Sequence, residues 1–115
     1  MRIEIRGRNV EVTEELRDHV HKRFERVGLQ VSEYATLHIE LSEERNPSIA
    51  EKEVADAVLH LKGVTLRARE ASHEMLHTIH RLSDDISRQV KRHREKRRKR
   101  TRTRRMVNRL RGRVA

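Results

Sequence analysis

The stretch that decides the fold is EVADAVLHLKGVTLRA, residues 53–68. Every second residue is apolar from Ala55 to Leu61, and again from Val64 to Ala68. This alternation is typical of strands with one buried face. Between the two runs, Lys62-Gly63 has the length and the glycine of a tight hairpin turn. The stretch therefore predicts two antiparallel strands of one sheet.

Two further strands are predicted upstream of this hairpin. Residues Tyr34–Leu41 alternate in the same way, and a polar loop, residues 42–48, separates them from the hairpin. Near the N-terminus, Ile3 and Ile5 alternate with charged residues. We therefore expect a four-stranded sheet.

Two amphipathic helices complete the predicted fold. The first begins after a Thr13 cap and ends at Gly28, and the second begins after a Ser72 cap. Their apolar residues recur at helical spacing: Leu16, Val20, Phe24 and Val27 in the first, and Met75, Ile79, Leu82, Ile86 and Val90 in the second. The order is βαβββα, an α+β fold with two helices packed on one face of a four-stranded sheet.

The charge is distributed very unevenly along the chain. Of 28 Lys and Arg, 14 lie between Lys91 and Arg113, where Glu95 is the only acidic residue, whereas residues 1–90 carry a net charge of −3. We therefore predict a folded domain, residues 1–96, and a polybasic tail, residues 97–115, that is partly helical or disordered. Such a tail favours a polyanionic partner.

Several classes of protein are disfavoured by the composition. The absence of cysteine rules out disulfides and thiolate chemistry and is compatible with a reducing compartment. The N-terminal residues lack the apolar core of a signal peptide, and no apolar run is long enough to span a membrane. We expect a cytoplasmic protein with no membrane partner, no small-molecule substrate and no cofactor.

The strongest functional signal is the cationic run of residues 88–100. So many cations at helical spacing repel one another unless phosphates neutralise them, and this favours nucleic acid. Lys22, Arg23 and Arg26 lie beside the apolar stripe of the first helix and could line one groove with the second. Because Phe24 and Tyr34 are the only aromatic residues, recognition of backbone and shape is favoured over recognition of bases.

A second motif, His73-Glu74-Met75-Leu76-His77, matches the zinc-peptidase pattern, and His80 continues the same helical face. The three histidines are predicted to point away from the apolar stripe onto an open surface. A catalytic zinc needs a walled cleft, so we expect no metal site and no enzyme, and keep a zinc metallopeptidase only as a remote alternative.

Three stretches in order along the chain resemble the bacterial ribosome hibernation-promoting factors, also called ribosome-associated inhibitors or sigma-factor modulation proteins. These are Ile3–Thr13, Asp56–Leu61 and the helix Glu74–Lys96, within a match over residues 2–98. The resemblance implies a domain similar in architecture to double-stranded RNA-binding domains. It also implies binding in the mRNA and tRNA channel of the small ribosomal subunit, with inhibition of translation.

The resemblance also implies which residues contact rRNA. The positions that match basic positions of the family are Arg17, Arg23, Arg26, Arg88, Arg92, Arg94 and Lys96, to which helix geometry adds Lys22 and Lys91. Leu76, His80 and Asp85 depart from the family pattern near the start of the last helix. The polybasic tail stands where longer members have a domain that pairs ribosomes. We therefore expect a short form, monomeric off the ribosome; the alternative is a general structured-RNA-binding or RNA-chaperone module.

Overall fold

The secondary structure follows the predicted order. A computed structural model describes the backbone of residues 1–114 and the side chains of residues 1–110. Its elements are β1 (Arg2–Gly7), α1 (Glu14–Gln30), β2 (Thr36–Glu43), β3 (Glu53–Leu61), β4 (Val64–Ser72) and α2 (Met75–Val114). The predicted βαβββα fold class is confirmed.

The four strands form one mixed sheet in the order β1-β2-β3-β4. β1 runs parallel to β2, whereas β2–β3 and β3–β4 are antiparallel. Leu61 pairs with Val64, so that Lys62-Gly63 forms the two-residue turn between β3 and β4. Gly63 has a φ of 79°, a left-handed conformation that glycine adopts without strain.

One face of the sheet and both helices enclose a single apolar core. Phe24 of α1 and Leu82 of α2 are fully buried against the inward residues of β2 and β3. The buried residues are those of the predicted stripes: Val20, Phe24 and Val27 from α1; Leu37, Ile39, Leu41, Ala55, Ala57 and Leu59 from the sheet; and Met75, Ile79, Leu82, Ile86 and Val90 from α2. Packing on this core places α1 and α2 side by side.

Two element boundaries differ from the sequence prediction. α1 continues through Gly28 to Gln30, because a glycine inside a helix lowers its stability without ending it. β2 begins at Thr36 instead of Tyr34, since a short turn precedes it in which the backbone N–H groups of Tyr34 and Ala35 donate to Ser32.

Ser72 stabilises the start of α2, but it lies two residues before the capping residue and, contrary to the prediction, is not itself the cap. The first helical hydrogen bond runs from the Thr78 N–H to the Glu74 carbonyl, so Glu74 is the capping residue of the backbone. The buried Ser72 hydroxyl contacts both the Glu74 backbone and the Thr78 hydroxyl, which in turn lies 2.9 Å from the Glu53 carbonyl. This network joins the first turn of α2 to β3.

The second half of α2 extends away from the domain. Every side chain of residues 94–110 is exposed. The 24 residues after Val90 extend about 36 Å at the helical rise of 1.5 Å per residue. The helix passes residue 97 without a break. The division into a domain and a tail stays a prediction. Ala115, at the end of that tail, lies outside the described residues. Of the helices in residues 1–114, none is long and apolar enough to cross a membrane.

Replacing Gly7 with alanine is expected to destabilise the domain by about 2 kcal/mol or more. A Cβ atom there would lie 2.1 Å from the Val10 carbonyl oxygen, which is backbone and cannot rotate away. The matched control is Gly28→Ala, whose Cβ would make an ordinary 3.6 Å contact with Met1 and should stabilise α1 by about 0.5–1 kcal/mol. Urea unfolding followed by circular dichroism measures both; equal stability of Gly7→Ala and the parent protein would contradict the close approach.

Candidate nucleic-acid interface

The outer face of α1 carries one half of the site. The Thr13 hydroxyl caps the helix by accepting from the Leu16 N–H at 3.2 Å, which confirms the predicted cap. With Phe24 turned into the core, helical periodicity leaves Lys22 and Arg26 exposed one turn apart.

A groove between α1 and α2, called the helix groove below, brings the two halves together. Four of the predicted cations line it: Lys22, Arg23 and Arg26 from α1 and Arg88 from α2. The remaining lining residues are His19, Glu25 and Leu29 from α1 and Ser83, Asp84 and Ser87 from α2. A single concave surface thus presents cations from both helices.

Arg23 is held across the groove by a side chain of α2. Its guanidinium lies 2.7 Å from Nδ1 of His80, and Nε2 of the same ring lies 3.6 Å from the Asp84 carboxylate. An Arg donor requires Nδ1 to accept, which leaves the Nε2–H directed at Asp84. His80 therefore lies at the surface, as expected, but in contact with α1. It is half-buried and positions Arg23.

An acidic pair lies on the β4 side of Arg88. Burial raises the pKa of the Glu70 carboxyl, and the Asp85 carboxylate raises it further by repulsion and a hydrogen bond; Arg81 and Arg88 oppose these effects. Burial also raises the pKa of Glu53, with repulsion from Glu43 as the second cause. The carboxylates near Glu70 make that side of α2 unfavourable for phosphate, whereas the helix groove lies on the cationic side of Arg88.

The other five predicted cations lie outside the lining of the helix groove. Arg17 is exposed near the start of α1, and Lys96 is exposed where α2 leaves the domain. Lys91 and Arg92 follow Arg88 by three and four residues, so they extend the cationic face of α2 by one turn. Arg94 faces a different cavity, at the far end of the sheet.

Polar residues also line the helix groove between these cations, and they were not predicted from the sequence. His19 precedes Lys22 by three residues, and Ser87 precedes Lys91 by four. Ser83 is buried, and its hydroxyl donates to the His80 carbonyl at 2.8 Å. Helical spacing from Arg88 was a signal for Asp84, but only the packing of α1 against α2 places His19 opposite it.

The face of the sheet opposite the helices, called the open sheet face, carries cations of a different kind. Arg6, Glu40, Asp56 and Arg69 form one row across the four strands. Within this row Arg6 pairs with Glu40, and Arg69 donates to both oxygens of Asp56 at 3.2 Å. By contrast, among residues 1–110 no carboxylate lies within ion-pair distance of the cations of the helix groove. Arg6 and Arg69 of the open sheet face are thus paired with carboxylates, whereas the four cations of the helix groove are not.

The zinc-peptidase pattern does not form a metal site in this geometry. His73 precedes the first residue of α2, so it lies outside the helical phase that the motif requires. His73, Glu74 and His77 are exposed, and His80 is engaged with Arg23. Within the described part of the chain, no three His, Cys, Asp or Glu side chains are grouped so that they could hold a metal ion.

Comparison with known proteins identifies one family. The model of the family described as Sigma 54 modulation protein / S30EA ribosomal protein matches residues 3–98. A ribosome hibernation promoting factor of Salmonella typhimurium is 31% identical over 94 residues, which cover 82% of this chain and 94% of the relative. A ribosome hibernation promotion factor of Picosynechococcus is 32% identical over 95 residues, but this chain spans only about half of its length, 49%.

Two solved structures share the fold. The N-terminal domain of Protein Y from Thermus thermophilus is 29% identical, with a TM-score of 0.69 over 80% of this chain and 98% of that one. A ribosomal subunit interface protein from Coxiella burnetii is 22% identical, with a TM-score of 0.70 over 83% of this chain and 99% of that one. The relatives carry the names of ribosome-associated factors.

Proposed function

Because this chain belongs to the family described as Sigma 54 modulation protein / S30EA ribosomal protein, we propose that it is a ribosome hibernation factor. It binds the small ribosomal subunit through rRNA, occupies the mRNA and tRNA channel, and inhibits translation. Acting on ribosomes, it works in the cytoplasm.

The contrast between the two faces of the domain carries this proposal. Arg6 and Arg69 on the open sheet face are neutralised by carboxylates of neighbouring strands. Among the described side chains, no carboxylate lies within ion-pair distance of the cations of the helix groove, and the cationic surface continues onto the exposed part of α2. Phosphates of folded RNA supply the missing counter-charges, and their condensed counterions are released on binding.

Inhibition follows from occupancy and needs no chemistry. A domain held by backbone phosphates at several points fills space that mRNA and tRNA need. Contacts to phosphates fix position and orientation without reading sequence, which explains why few aromatic side chains are needed. The two helices provide these contacts on a rigid core. We therefore assign the protein a binding role and no catalytic residue.

The remaining predicted cations extend the same interface. Arg17 lies toward the N-terminal end of α1, while Lys91, Arg92, Arg94 and Lys96 lie along α2 after the groove. On this proposal they contact rRNA beyond the helix groove, Arg94 from a separate cavity, and the cations after Lys96 contact phosphates farther away. The Salmonella relative, of which this chain covers 94%, is named a ribosome hibernation promoting factor, which supports the proposed role.

Sedimentation with purified bacterial ribosomal subunits tests the function. We expect saturable co-sedimentation with the small subunit at physiological salt, resistant to an excess of unrelated structured RNA. Initiator tRNA bound together with mRNA should displace the protein, because both occupy the channel. Release by the unrelated RNA would instead indicate a general RNA-binding or RNA-chaperone module and would contradict the proposal.

A further inference from the structure

A second cavity, separate from the helix groove, lies at the end of the sheet where β2 begins and β3 ends. It is formed by the turn between α1 and β2, the β3–β4 hairpin and the part of α2 from Val90 to Arg97, where the helix leaves the domain. Its lining includes Tyr34, Leu61, Lys62, Val90, Arg94 and Arg97. We call this cavity the Tyr34 pocket.

The wall of the Tyr34 pocket is apolar and includes an aromatic ring. Val90 is buried and Leu61 half-buried, so they provide an apolar floor. Tyr34 is 86% exposed, which makes it the most exposed of the large hydrophobic side chains in residues 1–110. Its backbone is fixed, because its N–H donates to the Ser32 hydroxyl at 3.1 Å and the Ala35 carbonyl accepts from the Arg2 N–H at 2.9 Å. A rigid turn therefore presents an uncovered ring.

The rim of the pocket is cationic. Lys62 comes from the hairpin, and Arg94 and Arg97 come from successive turns of α2. No Asp or Glu is among the described residues that line the pocket. A flat aromatic surface, an apolar floor and several cations together match the three parts of a nucleotide, since the base stacks while the phosphate binds cations.

We propose that the Tyr34 pocket binds an unpaired nucleotide of RNA, with its base stacked on Tyr34 and its phosphate held by Lys62, Arg94 and Arg97. The RNA partner in this proposal rests on the proposed function. The pocket recognises an unpaired base, which the helix groove does not. Double-stranded RNA keeps its bases stacked within the helix, so the pocket selects loops, bulges or single strands. Every base has a π face, so the selection is for an unpaired base and not for a sequence.

The chain provides its own probe for this contact. Tyr34 is the only tyrosine and there is no tryptophan, so intrinsic emission reports on this ring alone. An RNA hairpin with an unpaired loop should quench the emission, whereas a blunt duplex with the same number of phosphates should bind with much less quenching. Tyr34→Ala should weaken binding to the hairpin about fivefold to a hundredfold and leave duplex binding unchanged.

Two control variants separate stacking from other causes. Tyr34→Phe keeps the ring and should bind the hairpin like the parent protein. Ile49→Ala removes another exposed apolar side chain, in the β2–β3 loop, and should have no effect. Unquenched emission in the hairpin complex, or equal hairpin affinity of Tyr34→Ala and the parent protein, would overturn the proposal. The proposal would also be overturned if free adenosine 5′-monophosphate quenched the emission saturably while Tyr34→Ala bound RNA as tightly as the parent protein.

Binding of the parent protein to the small subunit is measured alongside these titrations. If the parent protein binds the subunit and the emission of Tyr34 is unquenched by every RNA, the pocket proposal fails and the proposed function stands. If the parent protein does not bind the subunit, the proposed function fails whatever the hairpin result.

Discussion

Replacing Lys22, Arg23, Arg26 and Arg88 together with glutamine is expected to weaken binding to the small ribosomal subunit about a hundredfold to a thousandfold at physiological salt. These residues line one groove, and no carboxylate pairs with them among residues 1–110. Each lost phosphate contact removes the release of roughly one counterion, so the slope of log affinity against log salt should fall by about 3 to 4. Filter binding across a salt series measures both quantities.

The matched control removes four positive charges from the opposite side of the domain. Arg2, Arg6, Arg67 and Arg69 project from the open sheet face, and replacing them with glutamine gives the same net charge. Exposed ion pairs contribute about 0–1 kcal/mol each, so the control should stay folded. If the control loses as much affinity as the groove variant, net charge and not the helix groove governs binding.

Removing residues 97–115 is expected to reduce affinity for the small subunit about as strongly as the groove variant does. The protein should still bind at the same place on the subunit. The truncation removes ten of the 28 Lys and Arg, all from a part of α2 whose described side chains are exposed. If about half of these cations contact phosphates, the salt slope falls by about 4. The core should stay intact, since the last residue of α2 in the core is Val90. Affinity, salt slope and displacement by initiator tRNA are measured on the truncated protein.

A scrambled arm is the control for this truncation. Keeping the composition of residues 97–115 but changing their order preserves the charge and disperses the exposed apolar side chains of Met106, Val107 and Leu110. Counterion release depends on charge more than on order, so the scrambled protein should bind like the parent. Complete loss of subunit binding on truncation would contradict a site built on the folded domain.

Periodicity was sufficient to predict the secondary-structure elements and their order. Alternation located all four strands, and spacing of three and four residues identified the buried side chains of both helices. The parallel pairing of β1 with β2 was not predicted, because it depends on how α1 crosses between them. The boundary at Tyr34 was wrong since side-chain alternation continues through a turn that Ser32 stabilises.

The candidate site was harder to predict than the fold. Helical phase shows which cations avoid the core, but the packing of α1 against α2 decides which of them share a groove. Arg88 lies opposite Arg23 and Arg26, whereas Arg94, six residues later, faces the Tyr34 pocket. Tyr34 itself was read as a strand residue, and only the structure places it on a cavity rim. Which of the nine predicted residues contact rRNA stays a prediction.

Hydroxyl-radical footprinting of small-subunit rRNA, with and without the bound protein, tests the central claim most directly. We predict that protection is confined to rRNA that lines the mRNA and tRNA channel. The open-sheet-face variant should retain this protection, and the helix-groove variant should lose it. Protection scattered over the subunit surface, or located outside the channel, would contradict it.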